Sequence, residues 1–224
     1  MNLARVKIEI ETMAINVWKE AEQWQKLVQR GRVTMKQIST INTRIFDTEN
    51  QLNNMDKPRE LRSTEKRIQQ MFLRLQNPVQ KMRRVLESLG KIKDSTARMH
   101  NRLSLWIDDD HVTKHRIRPH LGAPKLLELL QFLCQRYDAE WEVKEMVVYH
   151  LEHISSLHEL RILVEAWCNC RHAGGGQFRI KMGEFYDAIG RPRSFVIFQE
   201  NERLAYSSTN RTPRSGLKKV KVSG

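Results

Sequence analysis

Apolar residues recur every seven positions over about the first 50 residues of the chain. A step of seven from Leu3 meets an apolar side chain at every position up to Leu52 except Gly31. This heptad pattern predicts one long helix over residues 1–55 that pairs with another helix along its apolar stripe. Because glycine costs about 1 kcal/mol in a helix interior, we expect a bend or a break near Gly31–Thr34.

A second heptad stripe runs through residues 58–106. From Ile68 to Trp106 its positions follow at steps of three and four, with Thr96 as the one polar member. The segment between the two stripes contains two Asn, an Asp and Pro58, which favour a turn. Two long heptad helices joined by a short turn predict an antiparallel hairpin, either alone or inside a larger bundle.

The two stripes supply the candidate partner-binding residues. A single long helix cannot bury such a stripe against itself, and a lone hairpin covers two stripes of this length only in part. We therefore expect the partner to be another coiled-coil protein. The candidate residues are the large apolar side chains of the seam: Trp24, Ile38, Phe72, Leu75, Met82, Leu86, Leu89, Ile92 and Leu103.

The pattern changes after the second stripe. Residues 107–122 predict a loop, and residues 123–172 predict a pair of shorter helices. Residues 173–224 predict a basic, mostly disordered tail that contains two strand-like pieces, QFRIKM and SFVIF. The expected fold class is all-α, with long heptad helices in an elongated antiparallel coiled coil and a shorter C-terminal helical pair.

The charge of the chain adds a second kind of expected partner, one with an acidic surface. The net charge is +13, and residues 57–105 alone hold 13 Lys/Arg against 4 Asp/Glu. Such a balance favours nucleic acid, an acidic protein surface or an anionic membrane. The densest cluster of basic residues supplies the candidate contacts to an acidic partner. The competing interpretation of this cluster is an ordinary solvated face of a coiled coil. Its members are Lys81, Arg83, Arg84, Lys91 and Lys93.

Candidate catalytic and metal chemistry is sparse. Cys168 and Cys170 are separated by one residue, whereas zinc sites commonly use two to four. We interpret them as the end of a helix. His111 and His115 lie four residues apart without a carboxylate between them, so we interpret their segment as a solvated loop. Phosphate-binding loops and nucleophile motifs are not recognisable. We therefore predict a protein without enzymatic activity, metal or cofactor.

A family resemblance is carried by Tyr137, Glu140, Lys144 and Trp167, which follow a KLLE tetrapeptide at residues 125–128. These residues resemble the C-terminal region of the cyclin-dependent kinase 2-interacting protein family. The segment VWKEAEQWQKLVQRGRVTMKQISTI resembles that family's tryptophan-containing start, and KRIQQMFLRLQNPVQKMRRVLESLGKIKDSTARM resembles its central coiled coil. The proline-bearing segment before the third helix is reduced to IRPHLGAP, and the tail after the glycine run has no counterpart.

The resemblance implies a nuclear adaptor that has no catalytic activity. Proteins of this family are linked to cyclin-dependent kinase, replication-origin proteins and the ATR checkpoint pathway. They are also linked to an AAA ATPase assembly that matures large ribosomal subunits. Two other interpretations stay open: a direct nucleic-acid-binding protein, and a structural subunit of a spindle or kinetochore complex.

Overall fold

Two long helices and four shorter ones form the fold of residues 2–54 and 58–192, the part of the chain that the computed structural model describes. The predicted all-α class with two long paired helices is confirmed. In chain order the elements are α1 (Leu3–Leu52), α2 (Pro58–Ser104), α3 (Asp110–Thr113), β1 (Arg116–Arg118), β2 (Leu121–Gly122), α4 (Ala123–His150), α5 (Leu157–Cys168) and α6 (Gly176–Ala188).

The helices α1 and α2 run antiparallel and bury their heptad stripes against each other. Near the start of α1, the Glu9 carboxylate forms an ion pair with Arg102 at the end of α2, with 2.7 Å between Oε1 and Nη1. Further along, the Ser95 hydroxyl donates to Glu20 Oε1 at 2.6 Å. The two pairings fix the antiparallel register, which the short turn between the helices predicts.

Of the predicted bend or break near Gly31–Thr34, the break is wrong, because α1 is helical without interruption from Leu3 to Leu52. The stripe on both sides of the glycine is buried, at Trp24 and at Ile38. Burying side chains of this size contributes about 1.5–3 kcal/mol each, which exceeds the helix cost of one glycine.

The helices α4 and α5 form a second layer on one face of the hairpin. Along α2, Asp138 of α4 lies 3.5 Å from the ammonium of Lys93, and the Trp141 indole lies close to Gly90. On α1, α5 packs through Trp167. The chain therefore covers with its own helices the stripes that a lone hairpin would leave partly open.

The start of α5 is fixed by a capping box. Ser156 is the N-cap residue: its hydroxyl accepts from the backbone N–H of Glu159 at 3.2 Å. In return, Glu159 Oε2 accepts from the Ser155 backbone N–H at 2.9 Å and from its hydroxyl at 3.0 Å. The hydrogen bond from the Ser155 backbone N–H has the largest effect in lowering the pKa of the Glu159 carboxyl group, and the bond from the Ser155 hydroxyl adds to it. The reciprocal bonds satisfy donors that a helix start leaves open.

Two other boundaries differ from the predictions. The predicted loop 107–122 contains α3 and the antiparallel pair of β1 and β2. The piece QFRIKM is helical within α6, so the predicted disordered tail is wrong over those residues. The piece SFVIF and the basic end lie outside the described residues. No helix in the described part of the chain is long and apolar enough to cross a bilayer.

Candidate functional site

The residues that carry the C-terminal resemblance meet in one interior cluster, which we call the buried block. It consists of Tyr137, Glu140, Lys144 and Trp167, and each is at most 1% exposed. The first three project from one face of α4, because steps of three and four place side chains above one another on a helix. The fourth comes from α5. The buried block therefore joins the two helices of the second layer.

Lys144 connects α4 to the end of α5. Its ammonium lies 2.7 Å from Glu140 Oε1 and donates to the carbonyl oxygens of Trp167 at 2.6 Å and of Ala166 at 3.2 Å. The last turn of a helix leaves carbonyls without partners and attracts a cation. The buried ammonium thus meets both a counter-ion and hydrogen-bond acceptors, the condition under which a buried charge is tolerated.

Glu140 holds the chain that follows α5. Its Oε2 accepts from the backbone N–H groups of His172 at 3.0 Å and of Ala173 at 3.1 Å, while its Oε1 faces Lys144. On the α1 side, the Gln25 amide donates to the carbonyl oxygen of Ala173 at 3.3 Å. One carboxylate therefore binds α4 both to the end of α5 and to the connection between α5 and α6.

Trp167 fastens α5 to α1 at Gly31. A Cβ built on Gly31 would lie 2.6 Å from the Trp167 Nε1 atom and would overlap the ring. The same Nε1–H donates to the carbonyl oxygen of Val28 at 3.4 Å. Nearby, Trp24 of α1 stacks on Tyr137, with 4.1 Å between the ring centroids. Gly31, the one glycine of the heptad stripe, is thus the position at which the second layer packs closely against α1.

Cys168 and Cys170 belong to this connection. Cys168 is the exposed last residue of α5, and Cys170 is partly exposed beyond it. The Arg32 guanidinium donates to the Cys168 carbonyl oxygen at 2.8 Å. Burial raises the pKa of the Cys170 thiol, which favours its protonated form and disfavours metal binding. Among the residues that the structure describes, no three His, Cys, Asp or Glu side chains are grouped to hold a metal ion.

The predicted partner-binding seam is mostly interior to this chain. The reason is that α1 and α2 bury each other's stripes and the second layer covers what remains. Leu86 is half-buried, and Phe72 is 47% exposed, so these two are the predicted residues that retain access to a partner. The buried ones are Trp24, Ile38, Leu75, Met82, Leu89, Ile92 and Leu103.

Phe72 borders an apolar groove at the place where α4 ends, which we call the step groove. The groove has a volume of about 370 Å³. Phe72, Leu75 and Val79 line it from α2, and Leu151 and Ile154 line it from the connection between α4 and α5. The three α2 residues recur at steps of three and four, so they form one stripe. The step groove therefore continues, toward the hairpin turn, the surface of α2 that α4 covers further along.

The predicted acidic-partner contacts divide into two groups. Arg83 pairs with Glu152 at 2.6 Å. Lys93 pairs with Asp138, and its ammonium lies 5.2 Å from the centre of the Trp141 ring. These two cations therefore hold the second layer on α2. The other three predicted contacts are exposed and point away from that layer: Lys81, Arg84 and Lys91.

Sequence reasoning missed the backbone partners of the buried block. The carbonyl of Val28 and the N–H groups of His172 and Ala173 carry no signal in side-chain patterns. Gly31 did carry one, since it is the single small residue in a stripe of large apolar positions. That gap in the stripe indicates a bulky side chain arriving from another helix.

Compared with known proteins, the chain matches no protein-family model and no curated protein. The function proposed below therefore draws on two sources: the resemblance carried by the residues of the buried block, and the geometry of the step groove.

Proposed function

We propose that this protein is a non-enzymatic helical adaptor in nuclear complexes for DNA replication, genome maintenance and checkpoint signalling. The observation that carries the adaptor role is the step groove, an apolar surface that the chain's own helices leave open. The nuclear setting is supported by the resemblance to the cyclin-dependent kinase 2-interacting protein family. The partners that this resemblance suggests are cyclin-dependent kinase, replication-origin proteins, ATR pathway proteins and an AAA ATPase of large ribosomal subunit maturation.

The buried block supports the resemblance in a physical way. Glu140 and Lys144 depend on each other, since removing either leaves a buried charge without its counter-ion, and Lys144 also joins α4 to the last carbonyl groups of α5. This charged pair and the helix end that it holds form one structural unit of this chain. These contacts fix α4 against the end of α5, and a groove formed between elements held in this way binds at a lower ordering cost.

The occupant that fits the step groove is an amphipathic helix of a partner protein. The groove lies on the same stripe of α2 that α4 already covers, so a partner helix continues an existing helix–helix interface. A large aromatic side chain, Phe72, lines it and is 47% exposed, and such residues often dominate binding energy. Polar groups surround it, namely Gln76, Gln80 and the pair of Arg83 with Glu152. An apolar centre with a polar rim is the usual anatomy of a protein interface.

Replacing Phe72 by aspartate is expected to abolish recovery of the partner complex while leaving the fold intact. The side chain is 47% exposed, so the free protein tolerates a charge there, whereas a partner helix would have to bury that charge without a counter-ion. Such burial costs several kcal/mol, enough to lose a complex of ordinary affinity. The measurement is affinity purification of the tagged full chain from nuclear extract with mass spectrometry, beside a helicity measurement by circular dichroism.

The matched control is Leu73→Asp. Leu73 is 64% exposed and lies one residue further on, so its side chain points about 100° away from that of Phe72. The Leu73→Asp variant should therefore still recover the partners. A photo-crosslinking amino acid at position 72 should then label a helical segment of one recovered protein. Equal recovery with Phe72→Asp and with the unmodified chain would contradict the proposal. Recovery of tubulin or kinetochore subunits instead would favour the spindle interpretation.

A further inference from the structure

The middle of the hairpin is free of acidic residues on both helices. Residues 23–46 of α1 hold five Lys/Arg and no Asp or Glu, and residues 66–86 of α2 hold six Lys/Arg and no Asp or Glu. The antiparallel pairing brings these stretches together, because Arg44, Arg67 and Arg74 line one cavity. Two acid-free stretches that are far apart in the sequence therefore form one continuous region.

One side of this region carries exposed cations, and we call it the basic face. Its cations on α2 recur at steps of seven, seven and three, which places them on one side of the helix. Neutral polar residues stand between them, namely Gln37, Thr40, Gln70 and Asn77. The six cations are Arg30, Arg44, Arg67, Arg74, Lys81 and Arg84.

The basic face differs from the cations that hold the fold together. Lys93 and Arg102 each reach a carboxylate of another helix, and Arg83 reaches Glu152 in the connection between α4 and α5. Within the described residues, no carboxylate lies in ion-pair distance of the six cations of the basic face. Like charges on neighbouring turns repel one another. Six unneutralised cations therefore destabilise the free protein slightly, and an anionic partner would relieve that repulsion.

We propose that the basic face binds the phosphate backbone of a nucleic-acid duplex. From residue 67 to residue 84, α2 rises about 26 Å at 1.5 Å per residue, while a duplex presents one negative charge per about 1.7 Å of its axis. Arginine and lysine neutralise phosphates, and Gln, Asn and Thr side chains donate hydrogen bonds to phosphate oxygens. The composition of the basic face is the one that backbone contacts use.

Two features favour a duplex over other anionic partners. No aromatic side chain lines the two cavities of the basic face, and proteins that bind single strands stack the bases on aromatic rings. Cations and neutral polar groups make up most of the exposed face, with Val33 on α1 and Leu73 at its edge on α2 as the exposed apolar side chains, whereas an interface with a folded protein has a continuous apolar centre. The face also lies opposite the second layer. This site is therefore separate from the step groove, and it goes beyond the adaptor role.

The experiment measures binding of the full chain to a fluorescent 20-base-pair DNA duplex, and to an RNA duplex of the same sequence, by anisotropy over a series of salt concentrations. For five phosphate contacts, the slope of log K against log salt is about −4.5. The double variant Arg74→Gln/Lys81→Gln should reduce that slope by about 2 units. At 100 mM salt it should weaken binding at least about tenfold, since each lost contact removes its share of counter-ion release.

The matched control is Lys125→Gln/Arg161→Gln, which removes the same charge from exposed positions of α4 and α5. It should bind the duplex within about twofold of the unmodified chain, because charges on the far side act only through screened long-range attraction. Circular dichroism should show equal helicity for both variants.

Three results would overturn the proposal. The first is no duplex binding at 50 mM salt. The second is equal affinity for the unmodified chain and Arg74→Gln/Lys81→Gln, which would assign the binding to another basic part of the chain, such as its end beyond residue 192. The third is tighter binding to polyglutamate than to either duplex with the same dependence on Arg74 and Lys81, which would indicate an acidic protein partner.

Discussion

Replacing Lys144 by methionine lowers the free energy of unfolding by about 3–5 kcal/mol, the usual cost of breaking a fully buried ion pair. The substitution leaves the Glu140 carboxylate buried without its counter-ion, and it leaves the carbonyl oxygens of Ala166 and Trp167 without a donor. Urea denaturation followed by circular dichroism measures the loss. Because the chain length and the exposed surface are unchanged, the loss should appear as a lower midpoint at constant slope.

A second variant separates the charge from the hydrogen bonds. Glu140→Leu/Lys144→Met removes both charges, and replacing a whole buried pair by apolar groups is often close to neutral. Here the recovery should be partial, since the N–H groups of His172 and Ala173 also lose their acceptor. Lys125→Met, at an exposed position of the same helix, should change stability by less than about 0.5 kcal/mol. A Lys144→Met loss as small as that of Lys125→Met would show that the pair does not hold the second layer.

Replacing Gly31 by leucine is expected to cost about 3–5 kcal/mol, similar to truncating a buried tryptophan. The new side chain would occupy the space of the Trp167 indole, so the ring must leave its site and α5 must separate from α1. A shift of tryptophan fluorescence toward longer wavelength should accompany the loss of stability, because a displaced indole meets water.

Compensation provides the sharper test of this contact. In Gly31→Leu/Trp167→Ala the leucine can fill the space that the indole vacates, so the double variant should lose less than the sum of the two single losses. Gly90→Ala is the matched helix glycine: its Cβ would lie 3.3 Å from the Trp141 Nε1 atom, and its cost should be much smaller. If Gly31→Ala instead stabilised the chain by about 1 kcal/mol, as in an exposed helix, the indole would not occupy that space.

The sequence could predict the two long helices and their antiparallel pairing, because a heptad period and a turn are local patterns. It could not show that α4 and α5 of the same chain cover the part of the stripes that the hairpin leaves open. The surface of α2 that α4 covers and the stripe at Phe72 lie on the same side of the helix. What separates them is where α4 ends, at His150, and that boundary depends on the turn that leads into α5.

The sequence also could not show which of the clustered cations are paired within the chain. The cluster from Lys81 to Lys93 reads as one patch, yet Arg83 and Lys93 are bound to carboxylates of the second layer, while Arg84 is exposed on the other side. The basic face could not be found from the cluster alone. It requires the register of α1 against α2, which places Arg44 beside Arg67 and Arg74.

The error at α6 has a different cause. Phe178, Ile180 and Met182 alternate as in a strand, but Phe178, Met182 and Phe185 also follow the helical period. The helical period prevails, because Ile180 is 66% exposed whereas the other three are buried. Six residues are too few to distinguish the two periods when an apolar residue fits both.

The contact of Trp167 with Val28 joins residues 139 positions apart in the chain, and this separation determines when the protein can fold. During synthesis at about 5–20 residues per second, α1 and α2 leave the ribosome well before the tryptophan that locks α5 onto them. Until then the hairpin carries open apolar stripes of the kind that aggregate or recruit chaperones. The contact between α5 and α1 thus forms last during synthesis. Chains that end before residue 167 should therefore accumulate as substrates for chaperones and proteases.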